Sequence, residues 1–355
     1  MAKVLMKGNE AIAEAAIQAG CRHFFGYPIT PQNEIPEYMA RRMPKVDGCF
    51  LQAESEVAAI NMVFGAAAAG ARAMTSSSSP GISLKQEGIS YIAGADLPCV
   101  IVNMVRGGPG LGSIQPAQSD YFQATRGGGH GDYRTVVLAP ASIQEAVDLT
   151  QEAFDIADQY RVPVMVMGDG MLGQMMEPVE FGRYTPRTLA PKDWATTGRR
   201  GRDHNNIATS LYIDPVVLER VNQRMEENYR TITAQETRAA ADDTDGAQVV
   251  VIAYGTTARI ARSAITQAAR QGVKAALVRP ITLWPFPEQV VAEAAASPSV
   301  KAVLVVEMST GQMVDDVRIA VAGRKPVHFY GRTGGMVPMP GEVLQQILSL
   351  AGGDA

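Results

Sequence analysis

Cysteine is scarce in this sequence: Cys21, Cys49 and Cys99 are three among 355 residues, and no two form a CxxC pair. That argues against a disulfide framework, and three thiolates cannot hold an iron–sulfur cluster unaided. The four histidines (His23, His130, His204, His328) show no metal-ligand spacing. Charge of either sign is also sparse. Charged residues make up 19%, the formal net charge is −4 and the pI is near 5.7, so neither nucleic acid nor an anionic membrane surface is expected as a main partner. No window offers the roughly 18 uninterrupted apolar residues of a spanning helix. The opening MAKVLMKGNEAIAEAAIQAG, polar and apolar at helical spacing, lacks the apolar core of a secretory signal, and the chain is expected in the cytoplasm. What is present is apolar mass: 46% hydrophobic residues over 355 positions suffice for about two domains with sizeable cores.

Helical and strand-like segments alternate through the first half. GNEAIAEAAIQAG predicts a helix ending at Gly20, and ESEVAAINMVFGAAAAG a second, small-residue helix. ARAMTS, LPCVIVNMV, TVVLAP and VPVMVMGD read as buried strands, with a helix capped by Ser142 between the last two. Continuous apolar strands followed by helices indicate a parallel sheet covered on both faces. The pattern breaks near residue 185. Residues 186–246 are expected as a linker carrying one charged helix, DPVVLERVNQRMEENYRTI, and ending in a polar stretch from Ala239 to Gly246. Strand–turn–helix–strand order resumes at QVVVIAYGTT, so residues 1–185 and 247–355 are expected as a larger and a smaller α/β domain. The halves show no convincing internal repeat.

Several short stretches could carry chemistry. In YPITPQNEI, Pro28 and Pro31 fix φ on either side of Thr30, just after an apolar segment and before a polar turn. YGTTARIA has a turn opening a helix but neither GxGxxG nor a Walker lysine, and reads as ordinary punctuation. Gly168–Asp169–Gly170 would suggest a magnesium–diphosphate motif, but the following asparagines, Asn205 and Asn206, stand too far away, so it reads as a strand end. Arg106 opens RGGPGLG at the carboxyl end of a strand, where a guanidinium could clamp a carboxylate; an exposed arginine beside a flexible loop is an equal reading. Glu54 and Glu56 fit the first turn of a helix, where the macrodipole favours carboxylates. SSSSPG reads as a turn that could also line a polar pocket.

Taken in order, FFGYPITPQNEI, ESEVAAINMVFGAAAAGARAMTSSSSPG, VIVNMVRGGPG, PAQSDYFQA, HGDYRTVVLAPASIQEA and GRTGGMVP resemble the α subunit of the thiamine diphosphate-dependent 2-oxoacid:ferredoxin oxidoreductases. The resemblance covers essentially the whole chain and is weakest in the linker. SSSSPG and RGGPGLGSIQPAQSD look most like the 2-oxoisovalerate members, the 2-oxoglutarate members more often carrying a TSGPG-like turn.

The resemblance implies two doubly wound α/β domains, a thiamine-pyrimidine-binding-like domain and a smaller transketolase C-terminal-like domain. It assigns Glu56 as the carboxyl bonded to the cofactor's pyrimidine, with Pro28 and Ile29 beside the cofactor. Glu54 is then a solvated neighbour, Arg106 the partner of the substrate carboxylate and Thr30 a substrate-proximal hydroxyl. The reaction implied is oxidative decarboxylation of a 2-oxoacid to acyl-CoA, with coenzyme A as acceptor and electrons passed to ferredoxin. With no diphosphate motif of its own, the chain would share its cofactor with a β subunit that holds magnesium and an iron–sulfur cluster. Further γ and ferredoxin-like δ subunits belong to the same expectation. The alternatives are a 2-oxoglutarate-specific member, or a non-catalytic regulatory or assembly subunit of the same fold.

Overall fold

In the computed structural model, residues 3–352 are described. Seven strands form the larger sheet, in the order Thr282–Trp284, Val136–Leu138, Pro163–Asp169, Cys99–Val105, Ala73–Ser77, His23–Gly26 and Cys49–Gln52. Neighbours are parallel except at Thr282–Trp284, which pairs antiparallel with Val136–Leu138. The central strand CVIVNMV is buried at every residue, as a strand covered on both faces must be. Helices Gly8–Gln18 and Ile143–Tyr160 pack together, as do Glu56–Ala68 and Ser79–Gly94.

The order of these strands places the site. From His23–Gly26 the chain moves outward to Cys49–Gln52, then crosses back past it to Ala73–Ser77. The loops leaving the carboxyl ends of His23–Gly26 and Ala73–Ser77 therefore diverge, and open parallel sheets bind ligands in the crevice at such a point.

A second sheet has the order Val327–Gly331, Ala302–Glu307, Val249–Ile252, Ala275–Pro280 and Ala239–Ala241. Its last member overturns part of the expected linker: Ala239–Ala241 pairs antiparallel with Ala275–Pro280 instead of lying in a polar connection. Helix Pro215–Glu236 is present, capped by Asp214, and residues 180–214 hold neither helix nor strand.

One further expectation needs correction. SSSSPG is not a turn: Pro80 sits in the first turn of helix Ser79–Gly94, where its missing N–H costs nothing. The polar turn at YPITPQN is present, the Gln32 N–H donating to the Ile29 carbonyl at 3.1 Å, and leads into helix Glu34–Arg42. Residues Val4–Lys7, ahead of the expected helix, are a strand paired with Met176–Val179. Ser142 caps its helix as expected, accepting from the Glu145 N–H at 3.1 Å, and Gly20, at φ +83°, follows the end of Gly8–Gln18. No helix among the described residues is long and apolar enough to cross a membrane.

The two sheets are joined through the PAQSDYF stretch. Gln118, 2% exposed, donates from Nε2 to the Tyr254 carbonyl at 2.9 Å and from its backbone N–H to the Met308 carbonyl at 2.8 Å. Its Oε1 accepts from the Met308 N–H at 3.0 Å and from the Thr257 hydroxyl at 3.2 Å. Tyr121 donates to Asp316 at 2.6 Å, and Gln312 donates to the Ser119 carbonyl at 2.8 Å. Gln118→Ala strands the buried Met308 N–H and removes one of the donors to the Tyr254 carbonyl, which keeps the Thr257 hydroxyl. It should lower unfolding free energy by about 2–4 kcal/mol, measured as a drop in the denaturant midpoint of the chain.

Candidate active site

Two prolines are a small part of what holds the YPIT loop. Asn9 donates from Nδ2 to the Pro31 carbonyl at 2.8 Å and to Glu34 at 2.8 Å. Gln32 donates to the Tyr27 carbonyl at 3.3 Å and in turn accepts from the Ser76 hydroxyl. Arg106 donates from Nη1 to the Thr30 carbonyl at 3.1 Å. The backbone is thus fixed from three sides, while Thr30 itself is exposed and its hydroxyl has no partner among the described residues. Pro28 is exposed and Ile29 half-buried.

Arg106 follows the strand Cys99–Val105 and is 9% exposed. Its backbone N–H donates to Ser79 Oγ at 3.0 Å, its Nη2 donates to the Leu111 carbonyl at 3.0 Å, and its Nε is buried without a partner. The glycine loop beside it curls back on itself: Gly112, at φ +57°, packs so closely that a Cβ there would collide with the Gly107 carbonyl. The reading of Arg106 as a freely exposed side chain is therefore excluded.

Glu56 opens helix Glu56–Ala68, capped by Ser55, whose Oγ accepts from the Ala58 N–H at 3.1 Å. The macrodipole favours a carboxylate there but does not account for its burial. Glu56 is 7% exposed, and no described residue donates a hydrogen bond to its carboxyl. Glu54, two residues earlier, is exposed.

What joins these residues is the first turn of helix Ser79–Gly94. Ser79 bonds Arg106, and Gly81, two residues on, lies against Glu56. A Cβ at Gly81 would stand 2.7 Å from Glu56 Oε1 and would also run into Ser77 Oγ. Asn103 steadies that turn, accepting from the Ser79 N–H at 3.2 Å and donating to Asp120 at 2.9 Å; burial raises the Asp120 carboxyl above its usual range. The serine run is polar lining as well as helix start: Ser77 and Ser78 hydroxyls are buried without partners.

Sequence reading missed Lys85, which is fully buried on the same helix and donates to the Ser76 carbonyl at 3.0 Å. Its signal was available: a lysine three residues after Ile82 and four before Ile89 falls on the apolar stripe of a helix.

The donor set fits a thiamine-type cofactor in part. A buried carboxyl without a donor, a glycine in place of a side chain above it and two unpartnered hydroxyls suit a heterocycle with ring nitrogens. Asp169, by contrast, is committed to capping helix Gly170–Gln174, accepting from the Met171 and Leu172 N–H groups at 2.9 and 3.2 Å. Among the described residues no group of three or more His, Cys, Asp or Glu is arranged to hold a metal ion.

Known proteins resemble this chain along nearly its whole length. Residues 14–242 match the family described as pyruvate flavodoxin/ferredoxin oxidoreductase, thiamine diphosphate-binding, and residues 247–343 match pyruvate:ferredoxin oxidoreductase core domain II. The ketoisovalerate oxidoreductase subunit VorB of Methanothermobacter thermautotrophicus is 49% identical over 352 residues, covering 99% of each chain. The 2-oxoglutarate synthase subunit KorA of the same organism is 38% identical, covering 97% of this chain and 98% of its own. Among solved structures, a 2-oxoglutarate:ferredoxin oxidoreductase from Magnetococcus marinus, with 2-oxoglutarate, coenzyme A and succinyl-CoA bound, superposes with a TM-score of 0.87 at 26% identity. That match takes in 98% of this chain and 65% of the longer one. With both domain models matched in order and nearly every residue aligned to a subunit of this kind, the chain belongs to the thiamine diphosphate-binding pyruvate flavodoxin/ferredoxin oxidoreductase family.

Proposed function

We propose that this chain is the thiamine-pyrimidine half of a 2-oxoacid:ferredoxin oxidoreductase acting on a branched-chain 2-oxoacid such as 2-oxoisovalerate, with acyl-CoA, CO2 and reduced ferredoxin as products. The observation that carries the reading is the Glu56 carboxyl, 7% exposed and without a hydrogen-bond donor among the described residues. The branched-chain preference is supported by 49% identity to a ketoisovalerate subunit against 38% to a 2-oxoglutarate subunit. In this reading a β subunit holds the magnesium–diphosphate site and an iron–sulfur cluster, and γ and ferredoxin-like δ subunits complete the assembly. The commitment of Asp169 to a helix cap supports the first assignment. The scatter of the cysteines, with Cys21 and Cys99 buried and Cys49 exposed, supports the second.

Thiamine diphosphate, when bound, supplies a carbon nucleophile and an electron sink for loss of the substrate carboxylate. This chain's residues prepare the place for that chemistry. Glu56 would hold the cofactor's pyrimidine through a hydrogen bond to a protonated ring nitrogen and would share that proton, which is acid–base work through a fixed partner. Low solvent access strengthens that bond. Arg106 turns its guanidinium to the 2-oxoacid carboxylate; two of its five N–H groups are spent on carbonyls, which fix its plane and leave the others to donate. Thr30, its backbone held by that same guanidinium, presents a hydroxyl with no competing partner to charge developing at the reacting carbonyl.

Glu56→Gln in the co-purified complex should leave assembly intact and reduce turnover by about 10²–10⁴. Glu54→Gln, at an exposed helix terminus, should cost turnover nothing. Near-normal turnover by Glu56→Gln removes the basis of the reading.

Arg106→Lys keeps the charge but not the two-pronged plane, and lysine can span only one of the two carbonyls that arginine bridges. The KM for every 2-oxoacid should rise whatever its side chain, with kcat/KM down roughly 10- to 150-fold and cofactor affinity unchanged. Steady-state kinetics on a panel of 2-oxoacids is the check. A defect confined to coenzyme A would move Arg106 to the acyl-acceptor side of the pocket.

A further inference from the structure

The same helix turn that carries Gly81 carries Lys85 one turn later, on the same face. Side chains on a helix lean toward its N-terminus, so Lys85 is aimed back at the region over Gly81 where the Glu56 carboxyl lies. Lys85 is 0% exposed. An ammonium has three N–H donors, yet among the described residues Lys85 has one acceptor, the Ser76 carbonyl at 3.0 Å. Glu56 has the complementary deficit, a buried carboxyl with no donor. Ser77, its hydroxyl buried and unpartnered, lies against Gly81 as the Glu56 carboxyl does. The two charges make no direct ion pair within 4.0 Å, but they interact through space, the Glu56 charge favouring the protonated form of Lys85.

We propose that Lys85 is a positioning residue for Glu56: its buried ammonium, anchored on the Ser76 carbonyl, compensates the Glu56 carboxylate and keeps it faced toward the gap over Gly81. This rests on the reading of Glu56 as the pyrimidine's partner. Before the cofactor arrives, Lys85 is the cation that compensates a carboxylate with no donor. With a cofactor in place, a protonated ring nitrogen facing Glu56 would be a second cation there, and the Lys85 ammonium could supply that proton. Burial, opposed by Glu56, brings the Lys85 ammonium down to about 7, so it can give up that charge near neutral pH. Ser76 ties it further to the substrate side, because the Ser76 hydroxyl donates to Gln32 in the loop that carries Thr30.

Few other charges face Lys85. Helix Glu56–Ala68 contributes Glu56 alone, and strands Ala73–Ser77 and Cys99–Val105 carry no charged side chain. Asp169 ends strand Pro163–Asp169 as a helix cap, and Asp120 and Arg106 lie at the first turn, bonded to Asn103 and Ser79. Glu87 on its own helix is exposed and bonded to Tyr91. The buried Cys99 thiol, raised by burial to about 12, stays neutral.

The test uses Lys85→Met, close in length and uncharged, and Lys85→Gln, which can keep the bond to Ser76, in the co-purified complex. Without the ammonium the buried Glu56 carboxylate loses its compensating charge. The acid limb of the kcat/KM profile should therefore move to higher pH in both variants, while the rate recovers toward the wild-type plateau at high pH. A second readout needs no turnover: thermal midpoints of wild type, Lys85→Met, Glu56→Gln and the double variant, measured without cofactor. Losses should be non-additive, the double variant being more stable than the sum of the singles allows.

The linkage has a definite sign. A folded-state value near 7 against an ordinary 10.5 means that unfolding takes up a proton between those limits. Wild-type stability should accordingly rise with pH across that window, and Lys85→Met should lose the rise. Additive midpoints overturn the coupling. Coupled midpoints with an unshifted acid limb make the pair structural and overturn the positioning role. Glu56→Gln with normal turnover is a different result, because it removes the function reading itself.

Discussion

Polar groups buried without partners are costly, and several of them gather at one place. The first turn of helix Ser79–Gly94 touches Arg106 through Ser79 and Glu56 through Gly81, and Lys85 follows one turn later. Around it lie a carboxyl with no donor, two silent hydroxyls and an unpartnered guanidinium Nε. Each such group costs about 1–3 kcal/mol relative to a satisfied one. A chain that retains several of them at a single helix turn, on the edge of a parallel sheet where loops diverge, has kept that turn for something that arrives later. Other parts of the fold bear on this turn through the glycine loop.

The second sheet is one such part. Gln118 binds backbone from Tyr254 and Met308 at once, so the segment after the glycine loop is clamped between the two sheets. That clamp fixes the far end of the loop whose near end is Arg106. The GRTGG turn closes on the same loop: a Cβ at Gly107 would stand 3.3 Å from the backbone of Gly334 and Gly335. The arginine therefore sits between two rigid bodies, and its guanidinium passes that rigidity to the Thr30 carbonyl. Small perturbations in the second domain should be felt at the substrate side of the site before they reach Glu56.

Much of the first sheet was legible because its strands are continuous apolar runs and its helices have a clean apolar period, as in CVIVNMV and IQEAVDLTQEAF. The helix Ser79–Gly94 was not. Its start is written in serines and a proline–glycine pair, the vocabulary of turns, and its buried face holds Gly81, Lys85 and Gly88 where a core helix would hold large apolar residues. Gly81 makes room for the Glu56 carboxyl and Gly88 for the Ile60 side chain, while Lys85 fits the compensating role proposed for it. Ala239–Ala241 was hidden for another reason, since an edge strand of three alanines has no pattern to read. Thr30, Glu56 and Arg106 were each ambiguous as single residues, because caps, turns and surface arginines use the same letters. Burial and contact separate the readings, and neither is present in a sequence.

The most direct measurement is the structure of the co-purified complex with thiamine diphosphate bound. The account predicts a pyrimidine ring nitrogen at about 2.6–3.2 Å from the Glu56 carboxyl, over Gly81, with the diphosphate held by another subunit. A pyrimidine bonded to a carboxylate of another chain, with Glu56 still lacking a donor, would contradict it.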